Sequence, residues 1–203
     1  MTAMNKAELR RMLRIRFEGE TPRNEQSAHI CRHIIESGIY KHARIIGGYM
    51  PMPREADITP VLRNALAQGK KLALPLCGLR PDMTFHLVDN LDILQPNVWR
   101  IPEPGENDPL VPMKEIDLLL VPLEGIDHDG YRLGKGGGYY DKALQNQAVF
   151  TLGCALTWQW TKEVPREAHD VRLNGCVDAD GIHIFGTTDR NEVYSNGQEE
   201  AED

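Results

Sequence analysis

The sequence lacks any long run of apolar residues. The longest run, Leu118–Leu123, is far shorter than the roughly 20 residues of a membrane-spanning helix, so we expect no transmembrane segment and no membrane partner. The first residues include bases but no apolar signal core, and we expect a cytoplasmic protein. With 203 residues, of which 41% are hydrophobic and 26% charged, the chain suits one globular domain.

Cysteine is scarce, and the spacing of the cysteines indicates neither a metal-binding pair nor a disulfide scaffold. The four cysteines, Cys31, Cys77, Cys154 and Cys176, form no C-x-x-C pair, and four cysteines in a chain of this length do not indicate a disulfide scaffold. Because each lies in an apolar context, we expect four buried, reduced thiols.

Outside the last residues, the chain has almost no excess of charge of one sign. The formal net charge is −7, but residues 189–203 hold six acids and one base and so contribute −5, which leaves −2 for the rest. A nearly neutral body does not suit nucleic-acid binding. We predict a domain over residues 1–188 and a disordered acidic tail over residues 189–203.

Hydrophobic patterns predict strands that alternate with helices. Helices are predicted over residues 4–17, from Thr21-Pro22 to Ser37 with Gly38 as C-terminal glycine, over 57–68 and over 139–145. Strands are predicted over residues 44–50, 70–76, 83–88, 116–121, 149–156, 175–178 and 182–185. The segment Ile116–Val121, apolar except for Asp117, is typical of a central strand. The pattern predicts a single α/β domain with a mostly parallel sheet flanked by helices, and ligands bind such sheets at the carboxyl ends of the strands.

A glycine-rich segment follows the predicted central strand. It reads Asp127-His-Asp-Gly-Tyr-Arg-Leu-Gly-Lys-Gly-Gly-Gly-Tyr-Tyr-Asp141. Glycines let successive backbone amides converge on an anion, while Arg132 and Lys135 add positive charge. Asp141 offers the hard oxygen donors that Mg²⁺ prefers. The segment predicts a phosphate-binding loop with a metal, and the alternative is a flexible loop with a helix-capping Asp141.

The common phosphate-binding and catalytic motifs are absent. The spacing from Gly130 to Lys135 is too short for a P-loop, and Gly136 stands where that motif has serine or threonine. Tyr139 occupies the place of the last glycine of the dinucleotide-binding fingerprint. The sequence contains neither G-x-S-x-G nor H-E-x-x-H, so no nucleophile elbow or zinc-protease helix is indicated.

The glycine-rich segment also resembles a known family. The run Arg132–Asp141, preceded by Asp117-Leu-Leu-Leu-Val-Pro122 and Asp127-His-Asp-Gly130, resembles the signature of the 5-formyltetrahydrofolate cyclo-ligase family, whose members are also called methenyltetrahydrofolate synthetases. The resemblance extends over nearly the whole chain. Its further matches, in the family's order, are Lys6, Arg10, Glu55, Trp99-Arg-Ile-Pro-Glu-Pro104 and His169-Asp170.

The resemblance implies a fold and an activity. The implied fold is a single α/β domain of the architecture that sugar-phosphate isomerases and coenzyme A transferases also use. The implied activity converts 5-formyltetrahydrofolate into 5,10-methenyltetrahydrofolate, while ATP becomes ADP and phosphate and Mg²⁺ is required.

The resemblance also implies a set of site residues. ATP would contact Lys6, Arg10, Arg132, Leu133, Gly134, Lys135, Gly136, Gly137, Gly138, Tyr139 and Tyr140. The folate would contact Met50, Glu55, Trp99, Lys135, Gly136, Gly137, Gly138 and Tyr139, with Met83 as a further candidate. Asp141 and Asp170 would hold Mg²⁺, and Arg132 and Lys135 would be the catalytic cations that neutralise the transferring phosphoryl group.

Simpler interpretations of some residues stay open. The stripe formed by Lys6, Arg10 and Arg14 could be a solvated basic face of the first helix. Trp99 could anchor a long loop, and Glu55 could be a surface acid that precedes a helix. The two methionines could belong to the ordinary core.

Two other functions also stay open. A non-catalytic nucleotide- or folate-binding protein would bind its ligands without releasing ADP, whereas an isomerase-like or acyl-transfer enzyme on a similar sheet would act without ATP. No interface motif is recognised in the sequence, so we expect a monomer. The expected partners are ATP and a reduced folate, with or without a polyglutamate tail.

Overall fold

The computed structural model describes residues 4–17, 23–78 and 81–186. The α-helices within these ranges are α1 (Lys6–Phe17), α2 (Arg23–Glu36), α3 (Gly38–His42), α4 (Thr59–Ala67) and α5 (Tyr139–Leu144). The strands are β1 (Ile45–Gly47), β2 (Lys71–Cys77), β3 (Met83–Val88), β4 (Gln95–Pro96), β5 (Pro102–Glu103), β6 (Leu110–Val111), β7 (Leu118–Val121), β8 (Gly125–Ile126), β9 (Arg132–Leu133), β10 (Phe150–Cys154), β11 (Gly175–Val177) and β12 (Ile182–Ile184).

One eight-stranded sheet organises the chain, in the order β12-β11-β10-β7-β1-β2-β3-β6. The pairs from β11 across to β2 are all parallel. The outer strands β12, β3 and β6 pair antiparallel with their neighbours. The pairs β4–β5 and β8–β9 form separate two-stranded antiparallel sheets. The predicted α/β fold with a mostly parallel sheet is therefore confirmed.

Strand β7 lies in the middle of the sheet, as its apolar sequence predicts. Leu118 is in register with Ile46 of β1 on one side and with Phe150 of β10 on the other. All four side chains of β7 are buried, and they alternate between two hydrophobic clusters. Because successive side chains of a strand point to opposite faces, β7 contributes to the core on both sides of the sheet.

The helices cover the two faces unequally. Helices α1 to α4 supply buried side chains to the larger cluster, and α5 supplies Leu144 to the smaller one. In α1, the buried residues Leu9 and Leu13 lie one turn apart and form an apolar stripe. Burial of this stripe fixes α1 against the core and directs its basic side toward the glycine-rich segment.

Two predicted helix boundaries are wrong. Gly38 does not end α2 with a positive φ; it begins α3, because the Ser37 hydroxyl accepts a hydrogen bond from Tyr40 N and starts a new helix. Asp57 does not open α4 as its N-cap residue, which is Ile58; the Asp57 Oδ1 atom instead accepts a hydrogen bond from Thr59 N.

The predicted thiol burial is correct for three cysteines. Cys31, Cys154 and Cys176 are buried, whereas Cys77 is only partly buried. All four are free thiols. The predicted Thr21-Pro22 helix start and the acidic tail over 189–203 lie outside the described residues and stay predictions. None of the helices in the described ranges is both long and apolar enough to span a bilayer.

Candidate active site

A cavity of about 480 Å³ lies where β1, β2 and β7 end. The glycine-rich segment and the start of α1 form much of its wall. The predicted site residues that line it are Lys6, Arg10, Met50, Glu55, Met83, Trp99, Arg132, Gly134, Lys135, Gly136, Gly137, Gly138, Tyr139, Tyr140, Asp141 and Asp170. The exception is Leu133, whose side chain is buried in the hydrophobic core instead. The structure therefore brings these distant parts of the chain to one place.

The glycine-rich loop, residues 134–138, connects β9 to α5. Gly136 has a φ of 101° and Gly138 a φ of 70°, values in the region that favours glycine. Residues 135–138 are exposed on the cavity wall. Without side chains at the glycine positions, an anion can approach this backbone closely.

Arg132 and Asp141 form an ion pair beneath the loop. The Arg132 Nη1 atom donates to Asp141 Oδ1 at 2.7 Å, and the arginine side chain is only 3% exposed. The guanidinium also lies over the Tyr140 ring, 5.7 Å from its centroid. Arg132 thus holds the Asp141 carboxylate in place at the edge of the cavity.

Two polar atoms beside this ion pair are buried without a hydrogen-bond partner in the described part of the chain. They are Arg132 Nε and the Tyr140 hydroxyl. Burial raises the pKa of the Tyr140 hydroxyl well above its usual value, so the group stays protonated and can donate. Buried polar groups are normally paired, so these two atoms are exceptions within the described part of the chain.

Helix α1 presents two cations to the cavity. The Lys6 Nζ atom lies 2.7 Å from both carboxylate oxygens of Asp170 and 2.6 Å from Glu167 Oε2. Partial burial by itself would lower the pKa of Lys6, because it disfavours the charged form. The hydrogen bonds to the two carboxylates outweigh this effect, so the pKa of Lys6 is raised overall. Arg10 Nε donates to Gly134 O at 2.8 Å, which places its guanidinium against the glycine-rich loop. The two predicted ATP-contacting residues of α1 are therefore not a solvated face.

Lys135 and Glu55 both line the cavity and form an ion pair. The Lys135 Nζ atom lies 3.1 Å from Glu55 Oε1, and Glu55 Oε2 accepts a hydrogen bond from Met52 N at 2.8 Å. The Glu55 side chain is 6% exposed, so it is not a surface acid. Met50 lines the same wall.

A hairpin formed by β4 and β5 closes one side of the cavity. Trp99 at its tip is 50% exposed, and its ring meets the Tyr139 ring edge to face at 6.4 Å. The Tyr139 hydroxyl donates to Gly78 O at 2.9 Å, which ties the glycine-rich loop to the end of β2. The half-exposed indole therefore offers an apolar face next to the loop.

Glu103 and Cys77 line this side of the cavity and were not predicted individually. Glu103 is buried and accepts a hydrogen bond from Asn97 Nδ2 at 2.7 Å. Burial raises the pKa of the Glu103 carboxyl, even though its hydrogen bonds oppose the shift. Burial, together with the neighbouring Glu103, raises the pKa of the Cys77 thiol to about 12. The sequence signal for Glu103 was its place in the family-like run that ends at Pro104.

Glu124 is a second buried acid that sequence reasoning missed. Its side chain is 2% exposed, and its Oε1 atom lies 3.4 Å from both Lys135 Nζ and Arg54 Nη2. The available signal was an acid within the otherwise apolar run Pro122–Ile126.

The two predicted metal ligands line the same cavity. Asp141 and Asp170 both supply carboxylate oxygens, the donors that Mg²⁺ prefers, and each is oriented by a cation. Glu167, His169 and Asp170 also place ligand atoms within 4.8 Å of one another. The donor chemistry of these cavity residues therefore fits a divalent cation.

Comparison with known sequences gives consistent matches. A model of the 5-formyltetrahydrofolate cyclo-ligase family matches residues 2–178. The chain is 27% identical to 5-formyltetrahydrofolate cyclo-ligase of Mus musculus over 182 residues, which cover 83% of this chain and 89% of that protein. It is 32% identical to 5-formyltetrahydrofolate cyclo-ligase of Haemophilus influenzae over 158 residues, which cover 73% and 82% of the two chains.

Solved structures agree with the fold. The NMR structure of Aquifex aeolicus 5,10-methenyltetrahydrofolate synthetase matches with a TM-score of 0.80 at 27% identity and covers 91% of this chain and 95% of that chain. The structure of a 5,10-methenyltetrahydrofolate synthetase from Mycoplasma pneumoniae matches with a TM-score of 0.69 at 20% identity over 87% and 99% of the two chains, which supports the fold. The resemblance inferred from the glycine-rich segment is confirmed: this chain belongs to the 5-formyltetrahydrofolate cyclo-ligase family.

Proposed function

We propose that the protein converts 5-formyltetrahydrofolate into 5,10-methenyltetrahydrofolate, with ATP as co-substrate and Mg²⁺ as the metal. The observation that carries the proposal is the meeting of three groups in one cavity. These are the glycine-rich loop, the cations of α1, and the carboxylates Asp141 and Asp170. The proposal extends to a cytoplasmic monomer that accepts reduced folates with or without a polyglutamate tail.

The phosphate end of the cavity supports a role for ATP. Arg10 lies against the loop carbonyl of Gly134, and Lys6 lies between two carboxylates at the start of α1. Exposed backbone at residues 135–138 can donate to phosphate oxygens, and these cations reduce the repulsion between a triphosphate and the local acids. When bound, Mg²⁺ would be held by Asp141 and Asp170 and would neutralise charge on the phosphates.

The other end of the cavity supports a role for the folate. Trp99 offers a flat apolar surface to an aromatic ring, and Met50 and Met83 provide adaptable apolar contacts. Glu55 can accept hydrogen bonds from the amino-pyrimidine part of a pterin. Because this carboxylate is buried, water competes little for its oxygens, and a hydrogen bond from the pterin would be strong.

The chemistry requires positioning and charge stabilisation more than a side-chain nucleophile. The formyl oxygen of the substrate attacks the γ-phosphorus of ATP, and ADP leaves with the bonding electrons. The neighbouring amine of the folate then attacks the formyl carbon and loses its proton, and phosphate departs with the former formyl oxygen. The second step is intramolecular, so holding the folate in a closed conformation accelerates it.

Lys135 is the residue best placed to connect the two ends. It belongs to the glycine-rich loop and contacts Glu55 on the folate side. An ammonium at this point can stabilise the negative charge that moves between the formyl oxygen and the γ-phosphate. Arg132 lines the cavity but is buried against Asp141, so in this structure its ion pair is with that carboxylate.

An omission assay tests the proposal. Protein, 5-formyltetrahydrofolate, ATP and Mg²⁺ are mixed, and methenyl absorbance and ADP are followed together; each component is then left out in turn. We expect equal formation of methenyl product and ADP only in the complete mixture. Ligand binding without ADP release would identify a binding protein, and turnover without ATP would identify an isomerase-like or acyl-transfer enzyme; either result would refute the proposal.

A further inference from the structure

Glu124 is a buried carboxylate that three cations surround. Lys135 Nζ and Arg54 Nη2 each lie 3.4 Å from its Oε1 atom, and Arg14 Nε lies 3.9 Å from Oε2. The Oε2 atom has no hydrogen-bond partner among residues 4–17, 23–78 and 81–186. Desolvation of a buried carboxylate opposes folding, and the neighbouring cations offset part of that cost.

Lys135 is shared between two buried carboxylates. Its Nζ atom lies 3.1 Å from Glu55 Oε1 and 3.4 Å from Glu124 Oε1. Glu55 lines the cavity, whereas Glu124 is not one of the lining residues and so is not placed to contact a ligand directly. The Lys135 ammonium thus lies within reach of two carboxylates, of which only Glu55 lines the cavity.

We propose that Glu124 is a positioning residue that retains Lys135 when the folate occupies Glu55. This inference rests on the proposed function. When the pterin donates to Glu55, it competes with the Lys135 ammonium for the same carboxylate. Glu124 offers that ammonium a second partner within the cavity wall, so folate can bind to Glu55 without displacing Lys135 into solvent.

The substitution Glu124→Gln removes the negative charge of this side chain and keeps its size. Glutamine fills the same volume and leaves Glu55 as the acidic partner of Lys135 in the structure described. The folate must then compete with an ammonium that Glu55 alone holds. We expect binding of 5-formyltetrahydrofolate without ATP, measured by calorimetry, to weaken about tenfold. Thermal stability should fall somewhat, because Lys135 and Arg54 lose a buried anionic partner.

A double-mutant cycle with Lys135→Met tests whether Glu124 acts through Lys135. In the Lys135→Met background the competing ammonium is absent, so Glu124→Gln should change folate affinity by less than about twofold. The matched control is Asp82→Asn, which removes the carboxylate partner of Lys142 on the exposed surface and should leave folate affinity unchanged. A tenfold loss in both lysine backgrounds, or no loss in either, would overturn the proposal.

A second measurement distinguishes a failure of this inference from a failure of the proposed function. If wild-type protein binds the folate without turning it over, the proposed function fails and the cycle still tests Glu124. If it does not bind the folate, we measure a different quantity instead of folate affinity. This is the rate at which Lys135 reacts with an amine-reactive ester, followed by peptide mass spectrometry. A faster reaction in Glu124→Gln than in wild type would support positioning, and an equal rate would refute it.

Discussion

Lys6 holds the Asp170 carboxylate with both oxygens at 2.7 Å from its ammonium, and so joins the first turn of α1 to the segment that precedes β11. The two residues are 164 positions apart in the sequence. This contact places a predicted ATP-contacting cation directly against a predicted metal ligand. The arrangement of this part of the cavity therefore depends on the docking of α1.

We predict that Lys6→Met raises the KM for ATP about tenfold and lowers kcat less. The ammonium orients Asp170 and would neutralise charge near the phosphates. Its hydrogen bonds to Asp170 and Glu167 keep the pKa of Lys6 raised despite partial burial. Steady-state kinetics with ATP as the varied substrate measures the effect. Arg11→Met, an exposed change on the same helix, is the control. Equal KM values for Lys6→Met and wild type would contradict this role.

Asp141→Asn should abolish turnover while the fold stays intact. Asparagine preserves the size of the side chain and can still accept the hydrogen bond from Arg132, but it loses the charge that attracts Mg²⁺. We expect turnover to fall at least about 100-fold, with a melting temperature close to that of wild type. A magnesium titration of both proteins provides the measurement. Unchanged turnover at saturating Mg²⁺ would remove Asp141 from the metal site.

Trp99→Ala should weaken folate binding and leave ATP binding nearly unchanged. The indole is half exposed beside Tyr139, so its truncation removes apolar contact area from the ligand without opening the core. We expect about a tenfold rise in the KM for 5-formyltetrahydrofolate. Val98→Ala removes a neighbouring exposed apolar group and serves as control. The prediction fails if the two variants have the same folate KM.

Glu103 should make stability depend on pH. Burial raises the pKa of its carboxyl in the folded protein, so the folded state binds this proton more tightly than the unfolded state does. Ionisation of the buried carboxyl destabilises the folded protein. This destabilisation is absent below the unfolded glutamate pKa of about 4.3 and develops as pH rises through the pKa of Glu103 in the folded state. The melting temperature of Glu103→Gln minus that of wild type should therefore increase from acid to neutral pH. Glu106→Gln, at an exposed acid, is the control; a difference for Glu103→Gln that is constant with pH would refute this prediction.

The sequence predicts best the elements whose pattern is local. The run over 116–121 predicts a central strand because a strand buried on both faces needs continuous apolar residues, and β7 is that strand. The glycine-rich loop is predicted because a loop that approaches an anion needs residues without side chains. Gly38 was misassigned because the hydrogen bond from Tyr40 N to Ser37 competes with a glycine C-cap, and local sequence does not decide between them.

The interior carboxylates could not be predicted in the same way. Glu124 is accompanied by Arg54, which lies 70 residues earlier, and by Arg14 of α1. Glu103 is buried because the β4–β5 hairpin folds over the end of β2. Whether such acids are solvated or buried depends on which distant segments meet, and the local sequence signals named above do not decide between the two.

The central claim is that the glycine-rich loop binds the terminal phosphates of ATP between the cations of α1 and the carboxylates Asp141 and Asp170. The most direct test is a crystal structure of the protein with a non-hydrolysable ATP analogue and Mg²⁺. The account predicts phosphate oxygens within hydrogen-bond distance of backbone amides of residues 134–138, with Mg²⁺ on Asp141 and Asp170. A triphosphate bound elsewhere, with this loop free of phosphate, would contradict the account.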